Sequence, residues 1–448
     1  MPEPIPRTSE VSAEGLRAAE EKMSGAGLGP AAVAAFRAAY AKLAAGDSGL
    51  LSEAEVEPVT ELPSLEDLPP AGGDALDRLV VLKLNGGLGT SMGLPGAKSL
   101  LAVKDGRSFL ELIVAQTLAA RARHGARLPL VLMSSFRTRD DSLAALRAHP
   151  EIAADVPPDF LQNSEPKLRA DDLTPVEWPR EPGLEWCPPG HGDVYTALRA
   201  SGALDTLLAA GYRYAFLSNS DNLGAVVEPR ILAWMAAEEI PFVSEQCRRT
   251  PADRKGGHLV HHAGRLVLRE TAQVADADRD AYEDIERHPF FHCNNIWLNL
   301  EALAAHGEVL DLPLIVNRKT VDPTDPGSTP VVQLETAMGA AISVWEGARP
   351  VRVGRERFVP VKTTNELLAV RSDAYVLDED GRVGVSPERT LGRLVVDLDP
   401  AVYALLGPFE ERFPQGPPSL VDCARFVVRG DVTFGAGTVA RGRVELSG

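Results

Sequence analysis

A nearly continuous apolar run, "RLVVLKLN" (78–85), breaks into "GGLGTSMG", with glycines at 86, 87, 89 and 93 and a lysine at 98. No other stretch constrains the chain as tightly. A strand that is apolar on both faces needs a sheet covered on both sides. Four glycines so close together carry a large entropic cost, so this loop is expected to serve close backbone contact with a ligand. Glycine-rich loops after strands cradle phosphates through their N–H groups. Spacing removes the two common forms. A Walker A loop ending at Lys98 would need glycines where Met92 and Ala97 stand, and a dinucleotide loop would need one at Met92. What is left is a loop whose backbone touches a flat base or a phosphate.

The flanking pattern alternates. Ser108 to Gly125 reads as a helix, with Ser108 as N-cap and Gly125 as C-cap. "LPLVLMSS" (128–135) is the next strand, and "RDDSLAALRAHP" is a short helix stopped at Pro150. This order predicts an α/β fold with a mostly parallel sheet and right-handed crossovers. "YRYAFLSNSDNLGA" (212–225) and "PFVSEQC" (241–247) read as further strands, and "HLVHHAGRLVLRE" (258–270) as a hairpin turning near Ala263–Gly264. "TPVVQLETAMGAAISVW" (329–345) mixes a helical period with a late strand. "RFVPVKTTNELLAVRSDAY" (357–375) reads as a strand running into a helix. Upstream, 9–46 is helical, with Pro30 at a helix start and Val33, Phe36, Tyr40 and Leu43 on one face. Residues 52–75 are an acidic, proline-rich link, and the tail from 427 alternates apolar and polar residues like a β-helix or a small sheet.

Composition excludes several classes. A chain of 448 residues suggests two or three domains. A formal net charge of −17 argues against nucleic-acid binding. It also requires any anion site to be built locally, from a few cations, backbone amides or a metal. Cys187, Cys247, Cys293 and Cys423 form no CxxC pair, so neither a zinc knuckle nor a disulfide framework is expected. There is no signal pattern and no run of about 18 apolar residues, so a cytoplasmic protein without a membrane span is expected. Only nine of the 46 basic residues are lysine, which draws attention to lysines in unusual settings.

Several clusters carry chemistry. Asn219 and Asp221, two apart at the end of a predicted strand, would share a face. Open α/β sheets bind ligands at such ends, and Asp221 is a reasonable Mg²⁺ ligand. A turn-capping role is the simpler alternative. His191 stands between two glycines in "PPGHGD", where it could meet a phosphate or simply shape a turn. Asn294 and Asn295 suit sugar hydroxyls, though one of them could serve the backbone. Lys362 sits in the apolar "VPVKTT", where a buried lysine would need an anion. Lys255 in "RKGG" and Lys319 in "NRKT" add cations. No Ser-His-Asp order or HExxH stands out.

Taken in order, "KLNGGLGTSMG…GAKSLL", "EWCPPGHGDVY", "SNSDNLGA", "RKGGHLV", "FHCNNIWLNL", "PLIVNRKTVDP", "VVQLETAMGAAI" and "FVPVKTTNELLAV" resemble the motifs of the eukaryotic-type UTP–glucose-1-phosphate uridylyltransferase family. The resemblance runs from about Ala75 to the C-terminus. It implies a Rossmann-like nucleotidyltransferase domain over 76–375 and a left-handed β-helix over 376–448, behind an N-terminal helical segment and linker (1–75). It also implies uridylyl transfer from UTP to glucose 1-phosphate with Mg²⁺. Carried over motif by motif, Leu84, Asn85, Gly86 and Gly87 would line the uridine, and Gln162 and Gly190 would read the uracil edge. Lys98 and Lys362 would hold the UTP phosphates at the reacting centre. Asn219 and Asp221 would meet ribose, metal and phosphates, with Asp221 the metal ligand. His191 would hold the sugar phosphate, and Gly257, Glu270 and Asn294 would face the glucose. Copies in this family can associate end to end through the tail, while some members are monomeric. Two positions depart from the family pattern: Ala97 replaces a proline and His292 replaces an asparagine. A uridylyltransferase for other sugar 1-phosphates, such as N-acetylhexosamine 1-phosphate, is the nearest rival. A non-catalytic UDP-sugar sensor would have lost Lys98, Lys362 or Asp221, and all three are present.

Overall fold

The structure, a computed structural model, describes residues 9–72 and 74–448. The chain divides into two compact units, one comprising residues up to 75, 160–216 and 229–353, the other 76–159, 217–228 and 354–448. Both are mixed α/β.

In the second unit the apolar run forms the strand Leu79–Asn85, buried along its whole length. It pairs in parallel with Leu130–Ser134, Val81 opposite Leu130 and Asn85 opposite Ser134. The crossover is the helix Phe109–His124. Ser108 caps it through a reciprocal box with Glu111, and Gly125 ends it in a left-handed conformation (φ 63°). The glycine loop does not run straight into this helix. Two single 3₁₀ turns, Thr90–Met92 and Lys98–Leu100, and a small hairpin intervene. The same core that packs Val81, Leu112 and Leu132 takes in Val361, Leu367, Phe426 and Val428. The tail contributes three parallel strands, Val395–Leu398, Cys423–Arg429 and Gly442–Ser447.

In the first unit, the strand Phe242–Arg248 pairs antiparallel with Phe290–Asn299 and in parallel with Arg349–Val353. The predicted hairpin is present, with Ala263 (φ 48°) and Gly264 (φ 78°) at its turn. Successive positive φ angles are the demand of a tight hairpin turn. The N-terminal helices Ser9–Gly25 and Pro30–Ala44 bury Phe36, Tyr40 and Leu43 against Leu168, Val332 and Leu334. Two readings change. In 329–345 the strand comes first (Pro330–Glu335) and a 3₁₀ segment, Met338–Ser343, follows. Its β-branched pair Val331–Val332 is fully buried in the sheet, so tertiary burial outweighs the helical period. No strand forms at 357–362, where one isolated bridge, Asn222 to Pro360, precedes the helix Thr364–Arg371. A proline lacks the N–H that would extend a ladder.

The Ser108 box satisfies two otherwise orphaned N–H groups at the crossover helix. Ser108→Ala is therefore expected to cost about 1 kcal/mol in chemical denaturation, and an unchanged midpoint would contradict the cap.

Candidate active site

In the second unit the glycine loop is held from behind. Ser135 Oγ donates to Gly86 O at 3.2 Å, and Thr138 Oγ1 donates to Asn85 O at 2.7 Å. Lys98 N donates to Gly87 O at 3.0 Å. Asn85 itself is buried, and its amide donates to Ser142 Oγ at 2.7 Å. A Cβ added to Gly87 would meet no heavy atom within 4 Å. The protein's own packing therefore does not demand that glycine, whereas Gly89 and Gly93 take left-handed backbone (φ 63° and 69°). Beneath the loop Lys83 is only 2 % exposed. Its Nζ donates to Ser218 Oγ at 2.7 Å and to Ala225 O at 2.8 Å.

The strand Tyr214–Asn219 ends at Asn219, and the chain turns at once. Asp221 lies in that turn, not on the strand, so strand alternation does not decide where it points. The turn-capping work falls to Asn222, which accepts from Gly224 N and Val359 N and donates to Arg357 O. Asp221 is thereby left for other partners. Its Oδ2 receives Lys98 Nζ at 2.6 Å, and its carbonyl receives Val361 N at 3.1 Å. Its Oδ1 is buried and has no hydrogen-bond partner. Lys362, next to Val361, is exposed, so the expectation of a buried lysine fails. Backbone pairing to Asp221, not an apolar setting, fixes its position.

In the first unit Gln162 Nε2 donates to Gly190 O at 3.1 Å. Gly190 has φ 79°, and a Cβ there would lie 2.5 Å from Thr336 O, so no other residue fits without moving the backbone. His191 Nδ1 accepts the Met338 N–H at 3.0 Å. In the neutral ring the proton then sits on Nε2, which is a donor. Gly257 lies against Glu270, where a Cβ would come within 2.5 Å of Oε2, and its carbonyl receives the His292 N–H at 2.8 Å. The register between Phe242–Arg248 and Phe290–Asn299 slips at a bulge opposite Glu245, and Asn294 sits there with φ 55°. Bulges of this kind re-aim a side chain, and asparagine tolerates the left-handed region. Asn295 is the structural amide: it is buried and donates to Glu245 Oε2 at 3.0 Å. Lys255 is exposed, and Lys319 lies 3.9 Å from Glu335.

Sequence reasoning did not single out Lys83 or Asp193. Asp193 is 5 % exposed and accepts from both the backbone and the side-chain amide of Asn163. It stands inside the quoted "PPGHGD", which was the available signal.

A family model described as UTP–glucose-1-phosphate uridylyltransferase matches residues 34–441. The UTP–glucose-1-phosphate uridylyltransferase of Solanum tuberosum is 40 % identical over 396 residues, 88 % of this chain and 81 % of that protein. The Hordeum vulgare protein of the same name is 41 % identical over 387 residues, 85 % and 80 % of the two chains. A variant UDP-glucose pyrophosphorylase from Leishmania major, solved in complex with UDP-glucose, is similar at TM-score 0.91 and 43 % identity, covering 96 % of this chain and 94 % of that one.

Burial, with a smaller contribution from His191, pushes the His292 imidazole down to about 3. Unfolded, it would titrate near 6.5. The stability present above the unfolded value is therefore lost progressively as pH falls toward the folded one. Between about pH 7 and pH 5 the stability of the wild type is expected to fall by about 2 kcal/mol relative to His292→Asn, measured by denaturant titration. A pH-independent difference would refute the neutral buried ring.

Proposed function

The chain belongs to the family of UTP–glucose-1-phosphate uridylyltransferases and makes UDP-glucose and pyrophosphate from UTP and glucose 1-phosphate; from that premise we propose which of its residues carry the transfer. The observation behind the assignment is the Lys98–Asp221 pair, with Lys362 one residue beyond the backbone bond to Asp221.

The nucleophile brings its own charge. A phosphate monoester has a second pKa of about 6, so glucose 1-phosphate is largely a dianion at neutral pH. Its oxygen attacks the α-phosphorus of UTP. A new P–O bond forms, the bond to the oxygen bridging the β-phosphate breaks, and pyrophosphate leaves with that electron pair. No general base is needed, which agrees with a sequence lacking a triad. The obstacle is bringing two anions into line, and it is met by fixed cations and donors. Lys98 and Lys362 hold the UTP phosphates in this reading.

The orphaned, buried Oδ1 of Asp221 fits a Mg²⁺ ligand. Magnesium takes one or two carboxylates and fills its shell with water and phosphate oxygens. When bound, it would neutralise charge on the nucleotide phosphates. Lys98, which holds the other oxygen, would keep the carboxylate turned toward that position.

In the first unit, the Gly190 carbonyl takes the Gln162 amide N–H, which leaves Oε1 as an acceptor. An acceptor matches the N3–H of uracil and opposes the bare N3 of cytosine. His191, with its proton on Nε2, donates to the sugar phosphate. Gly257, Glu270 and Asn294 face the glucose hydroxyls, and Leu84 to Gly87 and Asn219 take the nucleoside. No described helix is long and apolar enough to cross a membrane, and the four cysteines are buried and form no disulfide. Both facts are compatible with the cytoplasm as the compartment. The parallel tail strands support reading the C-terminus as a left-handed β-helix through which copies could associate.

Lys98→Ala and Lys362→Ala should each lower kcat by roughly 10² to 10³, about 3–4 kcal/mol of transition-state stabilisation; near-normal turnover of either variant would remove its role. Chelation by EDTA is expected to abolish pyrophosphate release and added Mg²⁺ to restore it, whereas metal-independent turnover would refute the assignment of Asp221. Across a panel of sugar 1-phosphates, release should be greatest with glucose 1-phosphate. Equal release with N-acetylglucosamine 1-phosphate would favour the broad-range reading.

A further inference from the structure

We propose that Asp193 is a positioning residue for base selection, holding the Gln162 segment against the Gly190 turn so that the Gln162 amide presents its oxygen to the base. The inference rests on the reading of Gln162 given above and goes one residue further back.

The turn 189–193 is anchored on two sides. On one side Gly192 N donates to Thr336 O at 2.8 Å, Thr336 N to Pro189 O at 3.0 Å, and Met338 N to His191 Nδ1 at 3.0 Å. These bonds fix the turn to the segment 336–338. On the other side lies the segment carrying Gln162 and Asn163, tied to the turn by side-chain bonds. Gln162 Nε2 reaches Gly190 O, and Asp193 receives Asn163 N at 2.7 Å and Asn163 Nδ2 at 2.8 Å. Asp193 thus grips the residue adjoining Gln162 at both its backbone and its side chain. Without that grip, only the Gln162–Gly190 bond and the short pairing of Glu165–Pro166 with Trp186–Cys187 would hold the amide in place.

The carboxylate is an expensive choice for this place. A buried carboxylate loses its hydration, and two donors from a single residue replace only part of it. Burial accordingly lifts Asp193 to about 6. A neutral asparagine would avoid that cost. It would, however, offer one acceptor where two donors arrive and turn its own NH₂ toward a donor. The carboxylate is what can accept both bonds from Asn163 at once.

The test is a double-mutant cycle read as base selectivity. The ratio of kcat/KM for UTP to that for CTP is measured, with glucose 1-phosphate and Mg²⁺, in the wild type, Asp193→Asn, Gln162→Ala and the double variant. Asp193→Asn is expected to lower the ratio about tenfold or more, mainly through the KM for UTP, and to change it by less than about twofold once Gln162 is alanine. A merely structural role would scale both nucleotides equally and leave the ratio where it was. The proposal is overturned if Gln162→Ala lowers the ratio while Asp193→Asn does not, or if the two effects multiply. An unchanged ratio in Gln162→Ala alone would instead sink the uracil reading. Should Asp193→Asn fail to fold, Asn163→Ala removes one of the two bonds and keeps the backbone one. It is expected to lower the ratio in the same direction, and an unchanged ratio there overturns the proposal.

Discussion

Asp221 joins three segments that are far apart in the chain. Its side chain takes the Lys98 ammonium, its carbonyl takes Val361 N, and Asn222 beside it fixes 357–359 through both ends of its amide. The glycine loop, the end of the Tyr214–Asn219 strand and the segment carrying Lys362 are therefore one assembly. A protein with a net charge of −17 that handles two polyanions depends on such a local construction. The pair is only 14 % and 18 % exposed, so it is screened less than a surface ion pair.

The same economy governs the other buried charges. Lys83 is spent on Ser218 and Ala225, Lys104 on the Ser372 carbonyl, and Lys167 on the Val321 carbonyl. Each crosslinks the chain across a long sequence separation. Burial lowers the ammonium of both Lys104 and Lys167. These lysines hold scaffold, whereas Lys98 and Lys362 are the ones placed beside Asp221. A scarcity of lysine in the sequence thus marks two different uses, and only contacts separate them.

Much of the architecture was legible because it rests on local rules. The Ser108 cap, Gly125 at the helix end, Pro30 at a helix start and the Ala263–Gly264 turn are all short-range demands of the backbone, and each sits where the sequence puts it. The failures are equally specific. Val331 and Val332 follow the sheet because burial there outweighs helical period. Asp221 lies two residues past the strand's end at Asn219, in a turn that Asn222 ties back onto 357–359. Lys362 is exposed although Val361 before it is buried, because burial is decided residue by residue and not by the apolar character of the stretch.

The sequence by itself determined the family and the reaction, because motif identity and order are properties of the chain alone. It also determined the local elements, whose caps and turns depend on a few adjacent residues. Tertiary structure decided which of two similar side chains takes which task. Asn295 goes to Glu245 while Asn294 sits on a bulge, and Asn222 caps while Asp221 receives Lys98. It also decided that Asp193 grips Asn163. The reason is physical: a side chain's role is set by which hydrogen-bond partners reach it, and those partners come from segments a hundred or more residues away for Lys98 and Asp221, and about thirty away for Asp193.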